Sequence, residues 1–322
     1  MAKRNKKDIY VESTRAIDKL IESSEKQVDK EFIALLKGIK STLAGAYEKF
    51  GRDGILTREE MVKYGRLTKL EQSLIEQIQK LNKNQIRLTK DTIQHVFEES
   101  YYRYGYLIEN ETEFRIYELL SKEAINQNIH NDLNPISWDK RVKINNETML
   151  RQLVEDINQA LIVGSSYAFI ASMVAERVTI GSNKGKRIVR YEGRRVQEKA
   201  NFDSMDRADE VISKAGMQVK KQWVSAKDNR TRHTHRELDG QIIEIDDEFT
   251  SPSGARAKAP RQFGIPKEDA NCRCVMIHAF YDEDGNRIGG RTMRARNNGD
   301  NQIGIVVPYQ KYTDWKKSLE NR

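Results

Sequence analysis

The side chains best able to do chemistry in this chain are its cysteines and histidines, and they are few. The 322 residues hold two cysteines and five histidines, and both cysteines and two of the histidines lie between Trp223 and Cys274. The stretch opens Trp223-Val224-Ser225-Ala226-Lys227-Asp228. It continues through Arg230-Thr231-Arg232-His233-Thr234-His235 and Leu238-Asp239-Gly240. After a polar, proline-bearing loop it closes with Asn271-Cys272-Arg273-Cys274. Side chains alternate along an extended segment, so Cys272 and Cys274 put both sulfurs on one side. Their Cα atoms would lie about 6.5–7 Å apart, at the limit for an unstrained disulfide but comfortable for two thiolates on one zinc ion. His233 and His235 have the same i, i+2 spacing. Two such pairs brought together make a Cys2His2 tetrahedron. His278 shares the parity of Cys274, but extended geometry sets it about 13 Å away, too far for the same ion unless the chain turns. Common zinc frameworks space their cysteines by two to four residues, so a bland reading stands beside this one. In it the cysteines are small buried hydrophobes and the histidine bonds a neighbouring backbone group.

Catalysis is the other chemistry these residues could do. Cys272 could act as a nucleophile with His235 as its base. A metal-dependent nuclease could use a histidine, Asn271 and the carboxylates of Asp239, Asp246 and Asp247. Neither has a specific spacing behind it. The chain has no Gly-x-Ser-x-Gly, no phosphate-binding glycine loop and no His-Glu-x-x-His. The expectation is a protein that is not an enzyme.

The elements that must position this cluster can be read from proline and apolar spacing. No proline precedes Pro135, and four of the five (Pro252, Pro260, Pro266 and Pro308) follow residue 250. A proline-free front permits long helices. Ile17, Leu20, Ser24, Val28, Leu35, Ile39, Leu43, Ala46 and Phe50 step by threes, fours and sevens, which predicts one helix ending at Gly51-Arg52-Asp53-Gly54. Thr57-Arg58-Glu59-Glu60 reads as a capping box for a second, striped by Met61, Tyr64, Leu67, Leu70, Leu74, Ile78 and Leu81. Further helices are expected around 89–108, 111–129 and 147–163, with a turn at Asn134-Pro135 between the last two. Two more are expected at 166–178 and 186–215, joined by a basic linker from Gly181 to Gly185. Gly216 stands where a helix C-cap belongs.

The texture then changes. Gln218 to Ser225 alternates like a strand, with Val219, Lys221, Trp223 and Ser225 on one face. Gln241 to Ile245 and Cys274 to Phe280 read as two further strands, and 289–304 as loop. Trp223 is expected in the core, and Gly240 is expected to supply the positive φ of a tight turn. Tyr101, Tyr102, Tyr104 and Tyr106 read as a helix end packed on a neighbour. The fold class expected is α+β. Residues 1–180 form an elongated α-helical region, 181–281 a small α+β module with short strands, and 282–322 a loop-rich extension.

The net charge is +8, and residues 181–236 carry 15 Lys and Arg against 7 Asp and Glu, which is the whole excess. Such a segment suggests a polyanion, most often nucleic acid. It also reads as simple solvation of a long helix. Lys184, Lys186, Arg187, Arg194 and Arg195 form the run best suited to duplex phosphates, with no obvious partners. The longest apolar stretch, Tyr167 to Val174, is about half of the roughly 20 residues a membrane span needs. The basic start, Met1 to Lys7, leads into no apolar signal region, so folding in a cytoplasm is expected.

In this order the pieces resemble a known family, the phage Mu F-like minor head proteins, also called head-morphogenesis proteins. Trp223-Val224-Ser225 with Asp228, Arg230, Arg232, His235, Leu238, Asp239 and Gly240 resembles the family's central signature. Phe249, Pro260 and Asn271-Cys272-Arg273-Cys274 resemble its close. Arg190-Tyr191-Glu192 is similar to an upstream Arg-Thr-Glu element, departing from it at Tyr191. Tyr309 to Trp315 resembles a Tyr-x-x-Trp ending. The signature covers about residues 187–280, and residues 181–281 would be the Mu F-like module.

The resemblance implies a minor protein inside the head of a tailed phage, made in the host cytoplasm and retained in few copies. It implies association with the portal protein and with scaffold or major capsid protein. It also implies non-specific contact with double-stranded DNA and a part in head assembly and genome packaging or ejection. His235 aligns with the family histidine and His233 does not. The implied metal set is therefore His235, Cys272 and Cys274, with water or Asp239 as a fourth ligand to a structural zinc. Arg190, Arg230 and Arg232 read as phosphate or portal contacts, or as ion pairs such as Arg232 with Asp239 or Arg190 with an acidic neighbour. Glu192 reads as a partner within the module. Some relatives fuse the module to toxin domains. About 40 residues follow the signature here, too few for one. Two alternatives remain beside this reading, a metal-dependent nuclease and a zinc-stabilised nucleic-acid-binding module with no capsid role.

Overall fold

The computed structural model describes residues 6–112, 114–130, 136–226, 229–288 and 312–321. The expected turn at Asn134-Pro135 and loop at 289–304 lie outside them, as do Lys227, Asp228, Pro308 and Tyr309. The chain divides into two compact units. One takes residues 21–92 and 136–190; the other takes residues up to 20, 93–135 and 191 onward.

The first unit is built from parts of α1 (Lys6–Phe50), α3 (Arg66–Thr112) and α6 (Tyr167–Ile212), with α2 (Arg58–Val62) and α5 (Trp138–Val163). Apolar side chains at helical spacing close its core. Val28, Phe32, Leu35, Ile39 and Leu43 of α1 meet Leu70, Leu74, Ile78 and Leu81 of α3. Met149, Leu153 and Ile157 of α5 and Val174 and Val178 of α6 complete it. A polar layer crosses this core where the Asn146 amide donates to Asn82 at 2.7 Å and Gln85 at 3.0 Å. Half of the expected capping box forms: Thr57 accepts the N–H of Glu60 at 3.3 Å, while the Glu60 carboxylate pairs with Lys63 and Arg66 instead of returning to Thr57. The stripe that follows is broken, however. Tyr64 (φ 57°) and Gly65 (φ 67°) take left-handed conformations between α2 and α3.

The linker expected from Gly181 to Gly185 does not exist. α6 runs unbroken through it. The glycines serve close packing instead. A Cβ at Gly181 would lie 2.6 Å from the Met149 sulfur and 3.0 Å from the Phe32 ring, and one at Gly185 would lie 3.2 Å from Phe32 and Val28. The cost of glycine in a helix, about 1 kcal/mol, is accepted for that approach.

The second unit contains a four-stranded antiparallel sheet. It is formed by β1 (Met217–Val224), β2 (Ile242–Glu244), β5 (Val275–Asp282) and β6 (Arg287–Ile288), in the order β2-β1-β5-β6. β1 and β5 pair along their full lengths, with Trp223 opposite Met276 and Lys221 opposite His278. β3 (Phe249–Thr250) and β4 (Arg256–Ala257) make a separate hairpin. Gly216 ends the preceding helical turn at φ 75°, as its position suggested. Val219, Lys221 and Trp223 are all buried on one face of β1.

The four tyrosines are buried. Tyr101 packs edge-on against Tyr117, and Tyr106 packs against Trp315 of α9 (Tyr312–Ser318). They are packing residues. α3 continues to Thr112 where a break before 111 was expected, and 114–121 is not helical. The reason is local: the Glu109 carboxylate accepts the N–H groups of Ile116 at 2.6 Å and Tyr117 at 3.0 Å, in place of helical carbonyls. Helix resumes only in α4 (Lys122–Asn128), capped by Ser121.

Two glycine substitutions within helices should move stability in opposite directions. Gly181→Val overpacks the Met149–Phe32 contact and should cost about 1–3 kcal/mol. Gly45→Ala, where nothing lies within 4 Å of the new Cβ, should gain about 0.5–1 kcal/mol. Urea-unfolding midpoints check both.

Candidate metal centre

Three segments of the second unit converge on one buried point. The first is the loop after β1. It is pinned back on the strand by Gly240 N–H to the Trp223 carbonyl at 2.8 Å, Trp223 N–H to the Gln241 carbonyl at 3.0 Å, and Ser225 N–H to the Asp239 carboxylate at 2.8 Å. Gly240 sits at φ 83°, as that turn requires. Trp223, Asp239 and Gly240 therefore hold a loop. Within it lies the single helical turn α7 (His233–Arg236).

The second segment is α8 (Pro266–Asp269), with proline in its first turn, where a missing N–H is harmless. The third is Asn271 to Cys274. Asn271 takes a left-handed φ of 57°, which asparagine tolerates better than most residues, and turns the chain into Cys272. Arg232 donates to the Ala270 carbonyl and ties the first segment to the third. The expected Arg232–Asp239 ion pair is not how Arg232 is used.

At the convergence, His235 Nδ1 lies 3.5 Å from the Cys272 sulfur and 3.4 Å from the Cys274 sulfur. All three ligand-type atoms lie within 4.8 Å of one another. A tetrahedral zinc with bonds of about 2.3 Å to sulfur and 2.0–2.1 Å to nitrogen sets N and S about 3.5 Å apart. Both N–S distances therefore match such an ion.

The other imidazole nitrogen, Nε2, meets Glu268 Oε2 at 3.0 Å. Glu268 is held in turn by the hydroxyls of Thr234 at 2.9 Å and Ser253 at 2.7 Å. A carboxylate behind a histidine fixes the tautomer that leaves Nδ1 free to coordinate. Trp223 and Phe263 pack on the imidazole at 5.6 and 5.8 Å between centroids. His235, Cys272 and Cys274 are 1%, 5% and 1% exposed.

Proton positions follow from this geometry. The hydrogen bond between the two thiols pushes Cys272 up to about 12, with burial adding to it, and pulls Cys274 down to about 7. Burial opposes charge on His235, but the Cys272 sulfur and Glu268 outweigh it and raise its pKa. Without a metal the cluster holds one thiol poised to ionise beside an imidazole. It does not form a nucleophile open to substrate, because the sulfurs are buried.

His233 is not part of the cluster. Residues two apart on a helical turn point to nearly opposite sides. Its side chain is 78% exposed and faces Glu237 at 3.4 Å. Extended geometry was the wrong premise for that pair. Asp239 is engaged with Ser225, and Asp246 and Asp247 are exposed. Among the described residues no carboxylate joins the histidine and cysteines as a ligand. No recognisable spacing links Glu268 to His235, which lie 33 residues apart.

The basic run is not the free set expected. Lys186 pairs with Asp29 at 2.9 Å, and Arg190 is bidentate to Glu25 at 2.6 Å on both arms. Arg194 pairs with Asp18. Arg195 is buried, bonded to Glu192 at 2.8 Å and to the Ile129 carbonyl at 2.7 Å. Acidic residues of α1, far off in sequence, take the first three. Lys184 and Arg187 are exposed and form no ion pair among the described residues. Arg230 is exposed at the turn before α7.

The family model described as Phage Mu protein F like protein matches residues 151–277. The chain is 30% identical over 307 residues to the minor head protein GP7 of Bacillus phage SPP1, covering 95% of this chain and 96% of that one. The chain belongs to the phage Mu F-like minor head protein family. A second relative, the NAD(+)–arginine ADP-ribosyltransferase EFV of Enterococcus faecalis, is 32% identical over 176 residues. That likeness spans 55% of this chain but only 33% of the transferase. The end-to-end likeness of this Mu F-like chain is thus to a structural head protein. No solved structure matches. No helix among the described residues is long and apolar enough to cross a membrane.

His235→Ala should lower unfolding stability by roughly 1–3 kcal/mol, because it leaves the buried Glu268 carboxylate without the imidazole hydrogen bond. His233→Ala should stay within about 0.5 kcal/mol of the parent. Chemical denaturation of the two variants checks the contrast.

Proposed function

We propose that this minor head protein works inside the phage head, associated with the portal and with scaffold or major capsid protein during assembly. It is made in the host cytoplasm and kept in the virion. There it contacts double-stranded DNA without sequence preference and acts in packaging or ejection. The observation that carries this reading is the end-to-end likeness to a phage minor head protein. Lys184 and Arg187, one helical turn apart on α6 and exposed, are the cations of the basic run best placed for phosphate. Lys186, Arg194 and Arg195 take structural roles instead. Two phosphate contacts give weak, salt-sensitive attachment, as suits a protein positioned mainly by its protein partners.

We also infer that His235, Cys272 and Cys274 hold a structural zinc, with Glu268 orienting the histidine. The ion would tie α7 to the Cys-x-Cys segment across 37 residues of chain. Its burial and its short N–S distances support a clamp over a reaction centre.

Mass spectrometry of heads purified from infected cells should find the chain in few copies, recovered with the portal protein. Its absence from DNA-filled heads would overturn the placement. Purified chain should bind labelled duplex and leave it intact with or without Mg²⁺ or Mn²⁺. Binding should weaken about tenfold between roughly 50 and 200 mM salt, and further with Lys184→Glu and Arg187→Glu together. Cleavage abolished by His235→Ala would favour the nuclease reading.

A further inference from the structure

A buried guanidinium and a buried carboxyl group lie directly behind the two cysteines. Arg261 is 5% exposed and sits at φ 67°, a left-handed conformation uncommon for arginine. Its Nε donates to the Cys272 carbonyl at 2.9 Å and its Nη1 to the Cys274 carbonyl at 3.3 Å. Glu198, reaching from α6 and fully buried, faces the same guanidinium at 3.6 Å. The other Glu198 oxygen accepts the N–H of Met276 at 3.3 Å. One planar fork therefore grips the carbonyls of both sulfur-bearing residues. The Glu198 carboxyl lies beside the fork without a hydrogen bond to it and holds the start of β5 through Met276.

This arrangement is costly. Burying a guanidinium and a carboxyl group carries a desolvation penalty, and apolar side chains of similar volume often stabilise a core as well or better. Packing alone does not explain it. Geometry does. Cys272 to Cys274 precedes β5, so no strand partner fixes its dihedrals there. Gripping both carbonyls restrains the peptide plane that follows Cys272 and the one that follows Cys274, and with them the directions in which the two Cα–Cβ bonds point. Asn271 at φ 57° sets the other end of the same three residues. Strained backbone held by a buried network is the pattern of a preorganised site.

We infer that Arg261, backed by Glu198, is a positioning residue for the metal centre: it holds the Cys272 and Cys274 sulfurs at the spacing of a tetrahedral zinc-type ion before the ion arrives. The inference rests on the zinc reading above, and one experiment separates the two. Full-length chain is purified without an affinity tag, stripped with a chelator and titrated with Co²⁺. Wild type should take one Co²⁺ per chain, with sulfur-to-cobalt charge-transfer bands and the intense visible bands of tetrahedral cobalt. Zinc should displace it. Arg261→Lys keeps the charge but loses the fork. It should bind Co²⁺ about 10–100-fold more weakly, with visible bands shifted and weakened as the coordination relaxes. Glu198→Gln, nearly isosteric, should give a smaller change in the same direction.

The unfolding midpoint of each metal-free variant is measured alongside. A variant with a lowered midpoint but the wild-type cobalt spectrum and affinity has lost only packing, and that result overturns the positioning role while leaving the centre intact. Should Arg261→Lys fail to fold, Glu198→Gln decides by the same criterion. Failure of the wild-type chain to bind either Co²⁺ or Zn²⁺ overturns the zinc reading itself, and the positioning role with it.

Discussion

The C-terminal module turns on a single imidazole. His235 meets two sulfurs through Nδ1 and a carboxylate through Nε2, and all four groups come from segments that share no regular hydrogen-bonded ladder. Sheet pairing joins β1, β2, β5 and β6. It does not reach α7, α8 or the Cys-x-Cys segment. Those depend on side-chain bonds that the imidazole and its neighbours supply: Arg232 to Ala270, Glu268 to Thr234 and Ser253, and Arg261 to Cys272 and Cys274. Buried polar networks of this kind are favourable only when nearly every member is satisfied. The residues of the signature are mutually dependent for that reason. Trp223, Asp239 and Gly240 matter because they shape the loop carrying His235. Asn271 matters because it turns the chain into Cys272.

The same network closes this cluster to solvent. A catalytic zinc keeps a position accessible to substrate. Here each of the three ligand-type residues is 5% exposed or less, and Trp223 and Phe263 close over the imidazole. The carboxylates considered for a nuclease, Asp239, Asp246 and Asp247, lie outside the cluster among the described residues. What the site can do is hold three loops in one arrangement. That suits a protein whose likeness along its length is to a structural head component.

How much of this was legible follows from the range of the interactions. Period-two alternation placed Val219, Lys221 and Trp223 on one face of a strand, and that face is buried. It could not show that Lys221 would end between the rings of Phe202 and Phe249, at 4.8 and 5.6 Å, with burial lowering its pKa to about 8. The parity of Cys272 and Cys274 was readable, and both sulfurs reach the same imidazole nitrogen. The same parity misled at His233, because four residues formed a helical turn too short to leave a periodic signal. Gly181 and Gly185 looked like a linker because glycine marks both flexibility and close approach, and only the facing Met149 and Phe32 distinguish the two. Glu268, Arg261 and Glu198 carried no local pattern at all. Their partners lie 11 to 78 residues away.

Charge shows the same limit more sharply. Counted along the chain, residues 181–236 hold the entire net +8. Counted in space, much of that charge is already spoken for. α1 supplies Asp18, Glu25 and Asp29 to Arg194, Arg190 and Lys186, and Arg195 is enclosed with Glu192. An arginine gripped bidentately by a carboxylate offers a phosphate little, since binding must first break that pair or form beside its negative partner. The field such a segment presents is therefore set by the few cations left outside ion pairs, Lys184 and Arg187 among them, and not by the sum. A helix can be strongly basic in sequence because it must bond an acidic neighbour. The proposed polyanion contact then falls to residues beside that seam.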